Sequence, residues 1–221
     1  LGGALIALLL GLWDDRFGMP VLPKLIGQAG AAAILLASGA VPDLHLGPAA
    51  NVLVTLVALV ALMNAVNFLD NMNGMVAGLS AIALGAFAWG SLERGATGVA
   101  AAQLALAGAC LGFLPYNFPA ARIFLGDAGS LFLGYSLGAS AVLAFEGGPR
   151  GWGQLGPVLA LAYPAFDMIF VVVTRLRDGR KIYLGGRDHT NHRLASVLKC
   201  PKKTVLLLWV SGAVLSASGL V

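Results

Sequence analysis

Four aspartates, Asp14, Asp15, Asp70 and Asp127, stand at the ends of separate apolar runs, far apart in the chain but able to meet at one end of a bundle. Each alone reads equally well as an ordinary loop aspartate; their convergence is what points to chemistry. Asp14 and Asp15 are adjacent like charges that repel unless a cation or solvent screens them, and Arg16 and Lys24 are close by. Hard oxygen donors beside cations suit Mg²⁺ and phosphate, because Mg²⁺ takes one or two carboxylates and completes its shell with water and phosphate oxygens. Zinc fits less well. His189 and His192 are spaced i, i+3, but no Cys or further His accompanies them at ligand spacing.

Two further segments carry polar groups at the same kind of position. Ile123-Phe124-Leu125-Gly126-Asp127-Ala128-Gly129-Ser130 sets a carboxylate between glycines just before an apolar run. The glycines permit a turn, and the N-terminus of the next helix offers free N–H groups to an anion. Asn64, Asn67, Asp70 and Asn73 recur every third residue, more potential capping groups than one helix terminus can use. A third segment, Gly185-Gly186-Arg187-Asp188-His189-Thr190-Asn191-His192-Arg193-Leu194, joins flexible glycines to two imidazoles and two guanidiniums. Topogenic charge explains its Arg residues and leaves the histidines unexplained.

The elements that must position these groups are membrane helices. Of 221 residues, 58% are hydrophobic and 11% charged, against roughly 25% charged in soluble domains, and the mean hydropathy is +0.85. The 30 glycines, costly in soluble helices, allow close helix approach in lipid. The net charge of +4 does not point to nucleic acid, since the cations concentrate in one loop. Cys110 and Cys200 have no paired spacing and are expected as free thiols.

A hydrocarbon core of about 30 Å needs roughly 20 helical residues. The pattern therefore predicts an all-α polytopic bundle with spans near 24–40, 51–67, 76–92, 99–115, 128–145, 156–174 and 204–221, about eight with the partial run Leu1–Leu12. The loops around 13–23, 68–75, 116–127 and 175–203 then share one side. Of the 14 Lys and Arg, all but Arg94 and Arg150 fall on that side or its span ends, twelve against two, so the positive-inside rule makes it cytoplasmic. All four aspartates lie there. No linker or internal repeat divides residues 1–221, which read as one membrane-embedded domain containing the basic, histidine-bearing loop 175–203. The chain opens in Leu1–Leu12 without the basic segment of a signal peptide. At 1.5 Å per residue that run reaches only about 18 Å, so the native protein is expected to continue upstream with further N-terminal spans.

These motifs together resemble the polyprenyl-phosphate N-acetylhexosamine-1-phosphate transferases of glycosyltransferase family 4. The likeness runs from Trp13-Asp14-Asp15-Arg16 through Asn64-Ala65-Val66-Asn67-Phe68-Leu69-Asp70 and Pro119-Ala120-Ala121-Arg122 followed by Ile123–Ser130 to the His189 loop. The resemblance implies transfer of a sugar 1-phosphate, GlcNAc-1-phosphate foremost, from a UDP-sugar to a membrane polyprenyl phosphate. UMP is released, Mg²⁺ is required with Mn²⁺ as a substitute, and the setting is the cytoplasmic face of the inner membrane at the first membrane step of cell-envelope polysaccharide synthesis. It implies Asp127 as principal metal ligand assisted by Asn67, with Asp14, Asp15 and Asp70 as the essential catalytic aspartates. Lys24 matches a phosphate contact, Asn73 and Asn117 match the nucleotide side, and Arg187, His189, His192 and Arg193 match a loop closing over sugar and phosphate. A homodimer is left open.

Two departures stand out. Most bacterial members have Asp-Gly-x-Asp-Gly where this chain has Asp70-Asn71-Met72-Asn73-Gly74, and Asn191 interrupts the histidines of the loop. That interruption counts against the runner-up within the family, a phospho-N-acetylmuramoyl-pentapeptide transferase. An ion-coupled transporter, the competing class, predicts carboxylates near the bilayer midplane with access from both faces. The acceptor phosphate has a second pKa of about 6, so metal-assisted positioning is favoured over deprotonation, with Asp14 or Asp15 as base the lesser option.

Overall fold

In hydrocarbon a chain must satisfy its own backbone N–H and C=O groups, and a helix does so within one segment. The computed structural model describes residues 1–147, 155–183 and 186–219. Among them are ten helices and no strand: α1 (Gly2–Phe17), α2 (Val21–Ala37), α3 (Pro48–Leu69), α4 (Met75–Glu93), α5 (Thr97–Asn117), α6 (Gly126–Gly147), α7 (Leu155–Ala160), α8 (Ala162–Arg177), α9 (Thr190–Leu198) and α10 (Pro201–Ser218). Four of these, α3, α4, α5 and α6, are long and apolar enough to cross a membrane, and α2 is a shorter apolar helix. The protein is an all-α, multi-pass membrane protein.

The expected runs are all helical, with three corrections. The first run does not stop at Leu12; α1 continues to Phe17, so Asp14 and Asp15 sit on its last turn rather than in a loop. The run 156–174 is two helices broken at Leu161. Pro164 accounts for the break, because its ring excludes the carbonyl of Ala160 from a continuous helix. The 175–203 segment is not all loop, since α9 forms inside it. Arg150 with most of the 146–155 connection, Gly185 and the end of the 204–221 run lie outside the described residues.

Burial sorts the helices. Within the apolar stretches of α4 and α6, 61% of residues are buried, against 22% in α5, so α4 and α6 form the interior and α5 faces outward. α6 packs against α1, α3 and α4, with Leu131 and Tyr135 joining Ala7, Ala31 and Met63 in one core and Leu133 and Leu137 joining Leu84 and Phe87 in another. The α1–α6 contact depends on Gly11, where a Cβ would collide with the backbone of Asp127 and Ala128. Backbones approach this closely only at small residues. One turn further along the same face of α1 is Asp15, delivered to the start of α6.

Candidate active site

The Lys24 ammonium, on the first turn of α2, is the meeting point of three other helices. It pairs with Asp14 Oδ2 of α1 at 2.7 Å and Asp127 Oδ2 of α6 at 2.5 Å, and donates to Asn67 Oδ1 of α3 at 3.4 Å. Asn67 in turn donates through Nδ2 to Asp127 Oδ1 at 2.8 Å and to Ser130 Oγ at 2.9 Å. The side chains of Lys24 and Asp14 are only 16% and 12% exposed, and charge-assisted bonds gain strength where water is scarce. Asn64, one turn earlier on α3, pairs instead with fully buried Gln28 of α2 through Asn64 Nδ2 to Gln28 Oε1 at 2.6 Å. That amide pair holds α2 against α3 and so fixes Lys24.

Asp15 does different work. Its Oδ1 and Oδ2 accept the backbone N–H groups of Asp127 at 2.8 Å and Ala128 at 3.0 Å. The free N–H groups expected at the start of α6 are therefore taken by an anion from within the protein, and Asp15 orients Asp127.

Asp70 caps the C-terminus of α3, where the chain turns toward α4. Burial first, then the charges of Asp127 and Asp15, push its carboxyl up to about 7. The turn is completed by Gly74, whose φ of +79° suits glycine and whose N–H donates to Asn117 Oδ1 at 2.5 Å. Asn117 also donates through Nδ2 to Ile123 O at 2.9 Å and is buried. Both ends of its amide are thus spent on backbone, tying the Asp70 turn to the loop before α6; the nucleotide-side contact expected of Asn117 is not where its side chain is committed. Asn73 donates to Pro119 O at 3.2 Å and lines an open cavity.

That cavity, about 650 Å³, is walled by Met72, Asn73, Phe118, Arg187, His192 and Arg193, among others. Burial first, then neighbouring His189 and Arg187, hold the His192 imidazole below its ordinary value. His189 parts company with His192: it is 4% exposed, with Nδ1 2.7 Å from Asp167 Oδ2. The resemblance implies His189 as a substrate contact; in the structure its Nδ1 is committed to Asp167. Upstream, Asp188 binds Arg175 Nε at 3.1 Å and Arg180 Nη2 at 2.8 Å, and Arg180 above all holds that carboxyl below the usual range. Arg193 lies over Phe170 at 4.7 Å.

Two smaller spaces complete the arrangement. One of about 340 Å³ holds Asp14, Lys24, Asn64, Asn67, Phe68, Met168 and Tyr183. The other, about 470 Å³, is an apolar groove between α3, α6, α7 and α8, lined by Val54, Leu62, Ala65, Val142, Val158 and Ile169 with others. Val158 and Ile169 are more than half exposed, so the groove opens sideways. Met168 lines both spaces, and α3 runs along both.

The four aspartates expected to converge, Asp14, Asp15, Asp70 and Asp127, lie at one end of the bundle, with Lys24 and Asn67 bonded among them; Asp167, Asn71 and Arg175 carry no site role in the sequence reading. A carboxylate within an otherwise apolar run was the available signal for Asp167. Arg175 had been read as topogenic charge, yet it is 3% exposed with its Nη1 on Ile182 O at 2.6 Å.

A bundle of apolar helices with a polar cluster at one end, flanked by an apolar groove and a cation-rimmed cavity, describes an integral membrane protein. More specifically, the chain belongs to glycosyl transferase family 4, whose profile matches residues 1–145. It is 35% identical over 243 residues to the decaprenyl-phosphate N-acetylglucosaminephosphotransferase of Mycolicibacterium smegmatis, covering 95% of this chain and 59% of that protein. It is 33% identical over 229 residues to a Bacillus subtilis protein named "Probable undecaprenyl-phosphate N-acetylglucosaminyl 1-phosphate transferase", covering 99% of this chain and 64% of that protein. A phospho-N-acetylmuramoyl-pentapeptide-transferase of Geobacillus kaustophilus is 44% identical over 198 residues, with 87% of this chain and 57% of that protein aligned. The chain thus spans about three fifths of the length of these relatives.

Proposed function

We propose that the cluster around Lys24 transfers a sugar 1-phosphate, GlcNAc-1-phosphate first, from a UDP-sugar to a polyprenyl phosphate, with residues 1–221 acting as one membrane-embedded domain. The observation that carries this reading is the convergence of Asp14, Lys24, Asn67 and Asp127 from four helices, beside an apolar groove that shares Met168 with the cavity lined by Asp14, Lys24 and Asn67. A lipid phosphate has both halves of its chemistry met there. The apolar chain lies along α3 and α8, and the phosphate reaches the Lys24 ammonium. The donor enters from the larger cavity, where Arg187 and Arg193 face its pyrophosphate and Asn73 the nucleotide side. The basic residues of that end, Lys199, Lys202 and Lys203 among them, support a cytoplasmic orientation in the inner membrane.

The lipid phosphate oxygen forms a bond to the sugar-linked phosphorus as the bond from that phosphorus to the bridging oxygen breaks, and UMP leaves with the electron pair. Charge on the phosphates is the main obstacle, and fixed cations in a site poor in water lower it. The attacking phosphate is largely dianionic at neutral pH, so no residue has to remove a proton from it. Asp70 is the carboxyl suited to hold a proton near neutrality.

Mg²⁺ fits the donor set. Two carboxylates and an amide oxygen converge on one ammonium-sized point, and no closed cage of three His, Cys, Asp or Glu occurs among the described residues. A hard cation sharing phosphate oxygens needs no more than one or two carboxylates. Asp127 and Asn67 would hold it. When bound it would supply charge stabilisation to the pyrophosphate.

The 44% identity to a pentapeptide transferase supports a second donor class. Asn191, buried where consecutive histidines would otherwise continue, favours the GlcNAc reading. Incubating the full native protein with polyprenyl phosphate, Mg²⁺ and a panel of UDP-sugars separates the two. UMP release is expected with UDP-GlcNAc; release with UDP-MurNAc-pentapeptide alone would select the second class, and release with none would refute both.

A further inference from the structure

Asp167 lies inside α8, ten residues before its end at Arg177, and is 1% exposed. A carboxylate at that depth is costly unless its oxygens are met, and here they are met by His189 and Thr190 at the start of α9. Oδ2 is 2.7 Å from His189 Nδ1, while Oδ1 accepts the Thr190 backbone N–H at 2.7 Å and the Thr190 hydroxyl at 2.6 Å. The Tyr163 hydroxyl is 3.1 Å from Thr190 Oγ1. An ionised carboxylate only accepts, so Nδ1 carries the shared proton and Tyr163 donates to Thr190, which donates to Asp167.

Two consequences follow for α9. Its first residue is Thr190, whose N–H has no partner within the helix; Asp167 satisfies it and sets negative charge against the positive end of the helix dipole. On its other side the first turn is held by Asn191, fully buried, which donates to Asn71 Oδ1 at 2.6 Å. His192 and Arg193, which line the large cavity, sit on that same turn. Their placement is therefore set by α8 on one side and the Asp70 turn on the other.

We infer that Asp167 is a positioning residue for the UDP-sugar: its buried carboxylate fixes the His189 ring and the start of α9 so that His192 and Arg193 stand over the donor cavity. The inference rests on the proposed transfer reaction for its kinetic consequence and on geometry alone for its placement. A packing role without positioning predicts that apolar or neutral replacement leaves substrate discrimination intact.

The test is Asp167→Asn in the full native protein. The amide still accepts from Thr190 but offers N–H to Nδ1, which reverses the His189 tautomer. Loss of one charge-assisted bond predicts a rise of about tenfold in KM for UDP-GlcNAc, with KM for undecaprenyl phosphate unchanged. Amide hydrogen exchange at residues 190–194 should quicken by about tenfold while α1 to α6 keep wild-type protection. Equal movement of both KM values, or a fall in kcat with neither KM changed, would overturn the inference, as would unaltered exchange at 190–194. If wild-type protein releases no UMP, the reaction reading fails, and the exchange result still decides the placement. Should D167N not fold, Thr190→Val, which removes the hydroxyl's bonds to Asp167 and from Tyr163 and leaves the backbone bond to Asp167, should move donor KM and local exchange in the same directions; no change in either would overturn the inference equally.

Discussion

The Asp15 carboxylate spans the two backbone N–H groups that open α6, those of Asp127 at 2.8 Å and Ala128 at 3.0 Å, across 112 and 113 residues of chain. An N-cap reached from another helix does two jobs at once: it satisfies orphan donors and fixes the residue that carries the facing carboxylate of the Lys24 cluster.

Removing that cap should therefore cost both stability and geometry. Asp15→Ala is expected to lose roughly 1–2 kcal/mol by denaturant or thermal unfolding, and to weaken UMP release beyond what the lost folded fraction explains. Asp15→Asn keeps acceptor oxygen and should fall between the two. Full activity in D15A, normalised to folded protein, would contradict the orienting role.

Lys24 is the cation shared by Asp14 and Asp127 in the structure. Lys24→Met leaves those carboxylates facing each other without a cation, so the variant should be less stable than wild type in EDTA. Mg²⁺ should then raise its Tm more than it raises that of wild type, because binding only the folded state stabilises it. An identical Mg²⁺ response in both proteins would place the metal elsewhere.

Asp70 sets a pH dependence whose sign is fixed by its surroundings. Its folded value of about 7 lies above the ordinary 3.8, so the folded state holds the proton more tightly than the unfolded chain. The associated stability is complete below about pH 4 and is lost as pH rises through about 7, to a ceiling of roughly 4 kcal/mol over about three units. In EDTA, the Tm of wild type should fall between about pH 5.5 and 8, and that of Asp70→Asn should fall less. Parallel profiles would remove Asp70 as the titrating group.

Much of this was legible because membrane helices announce themselves by length and composition. The Asp14, Asn67 and Asp127 motifs could be placed together by assigning their loops to one side. What stayed hidden has a common physical cause. The start of α9 shows no side-chain cap from its own flanking residue, and local capping rules find nothing there because the cap, Asp167, comes from α8. The same holds at α6, where the anion expected from outside proved to be Asp15. The contact roles of His189 and Asn117 rest on the family resemblance, which carries a position over without its neighbours. Their burial and their bonds to Asp167 and to backbone, respectively, depend on partners that only the fold supplies.

In the proposed transfer the bond broken lies between the two phosphates of the donor, and the fate of the sugar-linked phosphate reports on it directly. UDP-GlcNAc labelled with ³²P at the sugar-linked phosphate is incubated with the full native protein, undecaprenyl phosphate and Mg²⁺, and the organic and aqueous phases are counted. The label is expected to enter the lipid phase in step with UMP release, and Asp127→Asn, folded as wild type, is expected to abolish both. Label retained in aqueous UDP while the sugar reaches the lipid would show that the bond between sugar and phosphate breaks instead, and would refute transfer of a sugar 1-phosphate.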